Sequence, residues 1–297
     1  MSSDESGRRL DNFLNSRLHG LPRARLYQML RKGEVRVNGG RVKQDYRLQT
    51  GDKVRIPPVW LEPPGETASI SPASIERLRQ KILHEDSHLL VLNKPAGMAV
   101  HSGSGIAYGV IDIMRAARPD IERLELVHRL DRETSGCLLL AKDAVTLRRL
   151  HDEFRAGSIH KHYTALLKGR MPKPRLELDM PLRKNSPRGG ERMVVVDAAG
   201  KASATRLLCE QLYQDATLVD VELLTGRTHQ IRVHTAAIEQ PLAGDEKYGD
   251  TEFNKLMKAQ GLKRLFLHAA KLQLPDEQLE ISAPLPADLA ACLAKLA

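Results

Sequence analysis

The chain has 297 residues, enough for two domains and a sizeable core, and its net charge of +9 is concentrated at one end: residues 1–58 hold 13 Lys and Arg against 6 Asp and Glu. That asymmetry is the electrostatic footprint of a nucleic-acid-binding module; an anionic membrane surface is the rival, but no apolar run could span a bilayer and no basic helix shows an aromatic apolar face. The N-terminal MSSDESGRR lacks an apolar signal core, and the three scattered cysteines, Cys137, Cys209 and Cys292, read as buried thiols of a cytoplasmic protein, not as disulfides or a zinc site.

Arg9 to Leu18 is predicted to be helical, with Leu10, Phe13, Leu14 and Leu18 at helical spacing. Leu21-Pro22 breaks it, and a second helix runs from Arg23 to Arg31, with Arg25, Gln28 and Lys32 on one face. VRVNGGRV then alternates around Asn38-Gly39 as a hairpin, and Lys53 to Ile56 is a last short strand. The run LPRARLYQMLRKGEVRVNGG resembles the core of the S4 RNA-binding domain, a small α/β module. That resemblance makes Arg25, Arg31, Lys32 and Lys43 candidate phosphate contacts, against the plainer reading of a solvated charged face.

Pro57-Pro58 and Pro63-Pro64-Gly65 mark a linker, so the expected division is 1–58, a linker over 59–78, and a second domain over 79–297. His88 to Asn93 is a predicted strand followed by a Lys94–Gly97 turn. Leu124 to Val127 and Cys137 to Ala141 read as strands flanking a polar loop, and Asp143 to Phe154 as an amphipathic helix. Another strand carries Lys161 and Tyr163, Thr217 to Leu224 follows as a strand, and Thr228 to Ile238 reads as a helix opened by a Gly226-Arg227 turn. The mixture predicts an α+β domain on a central mixed or antiparallel sheet.

The loop VHRLDRETSG presents Asp131 beside Arg129 and Arg132, charges that would hold a carboxylate ionised, although an isolated loop aspartate is more often a turn or cap. NKPAGMAVHSG, the Lys161-His162-Tyr163 strand, LLTGRTHQIRVHTAA and PLAGDEKYG accompany it, and each alone has an ordinary structural explanation. Together, and in this order, they resemble the pseudouridine synthases of the ribosomal large subunit type over roughly residues 80 to 297. The segments GDEKYGDTEFNKLM and LFLHAAKLQLP are most similar to the synthase C branch.

The resemblance implies an isomerase that converts specific uridines of 23S ribosomal RNA, free or in an assembling large subunit, to pseudouridine. No redox change or added atom is involved, so no cofactor is implied, and a monomer suffices. By match to the family motifs, Asp131 is the catalytic carboxylate, Arg232 its ion-pair partner, and Tyr163 the ring that packs on the uracil. Arg129 fills the vacated base stack or grips a neighbouring phosphate, and Arg227 and His229 are further RNA contacts. Helical spacing puts His229 and Arg232 on one face and turns His234 away.

Other chemistries find less in the residues. His229 and His234 are five apart, where a two-histidine metal helix uses four, so no metal site is expected. Ser102-Gly103-Ser104-Gly105 lacks the lysine of a phosphate-binding loop, and Ser135 sits in TSG instead of GxSxG. Two rivals remain open: a non-catalytic RNA-binding or ribosome assembly factor, and an N-glycosidic hydrolase.

Overall fold

The computed structural model describes residues 6–18, 21, 23–59, 70–103, 106–185 and 193–296. The chain divides into two compact units, Met1–Ser69 and Ile70–Ala297.

In the first unit, α1 (Leu10–Arg17) and α2 (Arg23–Lys32) precede a two-stranded antiparallel sheet of β1 (Arg36–Val37) and β2 (Val54–Arg55). The periodic apolar residues form the core: Leu10, Phe13 and Leu14 pack with Leu26, Met29, Leu30, Val35, Val37 and Leu48. The Asn38-Gly39 turn is present, both residues in the left-handed region, but closes only the bridge Val37↔Gly40. The expected hairpin is therefore replaced by pairing with the later strand. Asn38 explains the exchange: its side chain donates to Asp52 (2.7 Å) and accepts from the Lys53 amide (2.9 Å), which stitches the turn to β2.

The second unit begins earlier than the sequence suggested. The expected linker falls partly outside the described residues, but within 59–78 the chain forms α3 (Pro72–Arg79). Ser71 caps this helix through the Ser74 amide, and Pro72 opens it. Leu78, Ile70 and Ile75 pack into the core of the larger unit, so the helix belongs to that domain and the boundary moves to about residue 70. The Pro-rich composition concealed a short helix whose burial is tertiary.

The larger unit continues with β3 (Ile82–Glu85), β4 (Leu89–Lys94), α4 (Val110–Ala117), β5 (Glu125–Leu126), β6 (Ser135–Ala141), α5 (Ala144–Ala156) and β7 (His160–Lys168). Then come β8 (Arg175–Asp179), β9 (Leu182–Asn185), β10 (Met193–Val196), β11 (Ala204–Leu212), β12 (Ala216–Leu223), α6 (Gln230–Ala237) and α7 (Thr251–Ala259). It closes with β13 (Leu267–Leu274), β14 (Leu279–Ser282) and α8 (Ala287–Ala294). Among the described residues, one ten-stranded sheet runs in the order β3-β4-β6-β13-β7-β12-β11-β8, with β5 beside β6 and β14 beside β13. The β6–β13 pair is parallel and the rest are antiparallel, which makes it the mixed sheet expected. β9 and β10 form a separate hairpin.

β6 is buried along its whole length, as a central strand covered on both faces must be. Leu138 and Leu140 pack with Val110, Ile113 and Met114 of α4, while Cys137, Leu139 and Ala141 join Leu150 of α5. Asp143 caps α5 through the Thr146 amide (2.7 Å), and Gly157 ends it in the left-handed conformation. No helix among the described residues is long and apolar enough to cross a membrane.

The glycine of the TSG motif has a packing cause. Gly136 has φ +110°, and a Cβ there would lie 2.2 Å from the Ala269 carbonyl oxygen, because β6 and β13 approach backbone to backbone. Gly136→Ala is expected to cost about 3 kcal/mol or more in urea unfolding, combining backbone strain with a clash that no side chain can relieve.

Candidate active site

Asp131 sits half-buried on the loop that feeds β6, and its backbone is held from below. Lys94, fully buried at the end of β4, donates through Nζ to the carbonyls of Pro95 (2.9 Å), Met98 (2.8 Å) and Arg132 (3.1 Å). Burial pushes the Lys94 pKa down to about 7, but three acceptors require the three hydrogens of the ammonium form, which opposes that shift. The Arg132 carbonyl also accepts from the Gly97 amide (2.9 Å), and the Arg132 guanidinium donates to the Gly97 carbonyl (3.0 Å). The Lys94–Gly97 turn and the aspartate loop are one clamped piece.

Asp131 faces a cavity of about 590 Å³, whose walls include Arg129, Leu130, Tyr163, Arg227, His229 and Arg232. Asp131 is the sole carboxylate among its described lining residues. Arg232 Nη1 and His229 Nε2 each lie 3.9 Å from Asp131 Oδ2. The sequence expectation that Arg129 and Arg132 supply the charge beside Asp131 is not what the geometry gives. Arg129 is exposed at the cavity wall, Arg132 turns to Gly97 and Glu133, and the nearby charge comes from α6.

Arg232 is also more committed than expected. Its tight partner is Asp245, with Nε–Oδ2 and Nη2–Oδ1 both 2.7 Å, a two-pronged pair that leaves Nη1 toward Asp131. Burial alone would raise the Asp245 pKa, yet the hydrogen bonds and charge of Arg232, with the amides of Tyr248 and Lys247, bring it below the ordinary value. Gly244, at φ +73°, permits this turn because its missing Cβ would meet the Arg264 carbonyl at 2.2 Å.

His229 stands just before α6 with φ +54°, a left-handed position that histidine tolerates better than most residues. The Tyr248 hydroxyl accepts from the Val194 amide (3.0 Å) and is hydrogen-bonded to His229 Nδ1 (2.8 Å). The Asp131 carboxylate facing Nε2 favours the neutral tautomer with its hydrogen on Nε2, in which Nδ1 accepts from the Tyr248 hydroxyl. Burial, reinforced by Arg232 and Lys247, lowers the His229 pKa against the pull of Asp131. The Tyr248 ring also underlies Arg232, 5.0 Å from the guanidinium carbon.

Gln230 fixes the GRTHQ turn. Its Oε1 accepts from Thr225 Oγ1 (2.7 Å) and the Arg227 amide (2.9 Å), and its Nε2 donates to the Ala204 carbonyl and Thr205 Oγ1 (both 2.9 Å). His234 turns away, as its spacing predicted, to the Met180 carbonyl (2.9 Å). Tyr163 is buried on β7 with its ring in the cavity wall; burial and then Asp131 push its pKa up, so the phenol stays protonated. Arg227 lines the same cavity and donates through Nε to the Ala202 carbonyl (3.1 Å).

In the smaller unit Arg25, Arg31, Lys32 and Lys43 are all exposed. Arg25 bonds Gln28 and Glu34, each at 3.2 Å, in keeping with the shared face predicted for Arg25 and Gln28. No group of three or more His, Cys, Asp or Glu among the described residues is arranged to hold a metal ion. Asp245, Tyr248 and Lys94 went unassigned at the sequence level. The GDEKYG and NKPAG motifs that carry them were the available signals, but the partners of these residues are distant in sequence.

The mixed sheet thus carries a cation-rich cavity around one carboxylate among its described lining residues, and comparison with known proteins gives its class. Residues 88–237 match the family described as RNA pseudouridylate synthase and residues 8–54 match the S4 domain, so the chain belongs to the RNA pseudouridylate synthase family. It is 48% identical over 304 residues to ribosomal large subunit pseudouridine synthase C of Escherichia coli (strain K12), covering 100% of this chain and 95% of that protein. The protein of the same name from Haemophilus ducreyi is also 48% identical, covering 100% and 94%. Among solved structures, human RNA pseudouridylate synthase domain containing 4 superposes with a TM-score of 0.65 at 27% identity, over 75% of this chain and 95% of that one.

Asp245→Asn is expected to destabilise the fold by about 3–5 kcal/mol, since it leaves a buried guanidinium without its counter-charge. Because pairing depresses the Asp245 pKa in the folded chain, its contribution is complete above 3.8 and fades as pH falls through that value. Urea midpoints measured across pH should therefore show a shallower acid limb in the variant.

Proposed function

We propose that this protein isomerises specific uridines of 23S ribosomal RNA to pseudouridine, with Asp131 as the catalytic carboxylate. The observation that carries the reading is that Asp131 is the one carboxylate among the described lining residues of a cavity of about 590 Å³, with a guanidinium and an imidazole 3.9 Å away. The ribosomal substrate is the reading favoured by the large-subunit synthases at 48% identity, and it implies a cytoplasmic protein able to act as a monomer.

The reaction breaks the N1–C1′ bond, turns the uracil and forms C5–C1′; the C5 hydrogen leaves to solvent and N1 takes up a proton. Asp131 engages the nucleotide beside the bond that breaks. Arg232, anchored by Asp245, holds that carboxylate oriented, and His229 offers it an Nε2 hydrogen. The Tyr163 ring supports the detached base while allowing rotation, which a fork of hydrogen bonds would resist. A base drawn from structured RNA must first be extruded, at a cost of a few kcal/mol. Arg129, exposed at the cavity wall, fills the vacated stack or grips a flanking phosphate. Arg227 is a further RNA contact, and Arg25, Arg31, Lys32 and Lys43 of the smaller unit hold other phosphates of the RNA.

Ribosomal RNA carrying tritium at uridine C5 separates the readings: isomerisation releases label to water, a pure binder releases none, and a hydrolase yields free uracil. Asp131→Asn is expected to abolish release with RNA affinity nearly intact; retained turnover would remove Asp131 from the mechanism. Replacing Arg31, Lys32 and Lys43 together by alanine should weaken binding and flatten its salt dependence, by about 0.7–0.9 of log–log slope per lost phosphate contact. An unchanged slope would mean that these cations do not touch RNA.

A further inference from the structure

Lys161 is a buried cation without a counter-ion. It lies on β7 two residues before Tyr163, is 6% exposed, and lines the same cavity as Asp131. Its Nζ sits 5.4 Å from the centroid of the Phe154 ring and makes no hydrogen bond or ion pair with any described residue. Nor is it among the sealed, unsatisfied polar atoms of the interior, so the ammonium keeps contact with the cavity space. The contrast with Lys94 is instructive: that lysine is also buried, but three carbonyls saturate it.

Among the described residues, nothing around Lys161 supplies the missing charge. His128, stacked on Phe154 with centroids 5.2 Å apart, accepts the Leu139 amide at Nε2 (3.0 Å), and burial drives its pKa down to about 4, so it is neutral at pH 7. Glu222, the carboxylate whose field reaches Lys161, is engaged by Arg206 and His160. Of the other cations on the cavity wall, Arg155 pairs with Asp152, Arg227 with the Ala202 carbonyl and Arg232 with Asp245. Arg129, Arg155 and Gly157 of the same cavity wall are exposed, so the cavity has a lobe open to solvent.

We propose that Lys161 is the inner anchor of a phosphodiester subsite: its ammonium takes a non-bridging oxygen of a phosphate flanking the nucleotide held at Asp131. A neutral base carbonyl would leave the ammonium uncompensated, whereas a phosphate brings a full negative charge to a buried positive one. The open lobe is where an RNA backbone can pass while its extruded nucleotide occupies the Asp131–Tyr163 end. The subsite rests on the RNA reading above.

The test uses the full-length protein and an RNA stem-loop that the wild type modifies, made with a single neutral methylphosphonate either 5′ or 3′ of the target uridine. At one of the two positions the neutral linkage is expected to raise the half-saturating RNA concentration of the wild type about tenfold or more, and that of Lys161→Met about twofold or less. Lys161→Arg should retain the wild-type penalty. Thermal melting supplies a second readout: removing an uncompensated buried charge should leave the Tm of Lys161→Met unchanged or raised. An equal penalty in wild type and Lys161→Met at both positions, or none in the wild type, would overturn the subsite, as would a lowered Tm accompanied by an undiminished penalty. Failure of the wild type to release tritium from any ribosomal RNA would instead overturn the reading on which the subsite rests.

Discussion

The two-pronged pairing of Arg232 with Asp245 is the constraint on which the geometry of the cavity depends. A single guanidinium presents five hydrogens in a fixed plane, and two of its nitrogens are consumed by a carboxylate at 2.7 Å. What remains, Nη1, can point in one direction, and that direction is Asp131. The same guanidinium lies over Tyr248, whose hydroxyl is hydrogen-bonded to His229 Nδ1. One turn, Gly244 to Tyr248, thus organises both the cationic and the imidazole neighbour of Asp131 without touching Asp131 itself.

The cavity is electrically lopsided. Five Lys and Arg side chains stand among its described lining residues with one aspartate, and the two histidines there, His128 and His229, are held neutral by burial. Keeping these rings uncharged limits the positive excess to the lysine and arginine side chains of the wall. A polyanion is the kind of ligand such a wall accepts, and a single carboxylate within it interacts with little competing negative charge.

Local patterning carried most of the architecture. The helices at Leu10–Arg17, Arg23–Lys32 and Ala144–Ala156, and the strands ending near Lys94 and Leu223, fall within a few residues of their periodic signals, because each buries the apolar face its spacing describes. The failures share a cause. The Asn38-Gly39 hairpin gave way to pairing with β2 because Asn38 reaches Asp52 and Lys53, fourteen and fifteen positions on. The helix Pro72–Arg79 was hidden by proline-rich surroundings, and its burial depends on a sheet still unformed at that point in the chain. At the site, Asp131, Tyr163 and Arg232 were legible as a set of motifs. That Arg232 divides itself between two carboxylates was not, since position 245 looked like an ordinary turn.

Lys94 carries one more consequence. Because a single ammonium ties the Pro95, Met98 and Arg132 carbonyls together, the two loops it joins have no independent hinge. The carboxylate on the residue just before Arg132 is therefore preset ahead of RNA binding, and the reshaping that brings enzyme and nucleotide together falls on the softer partner, the RNA.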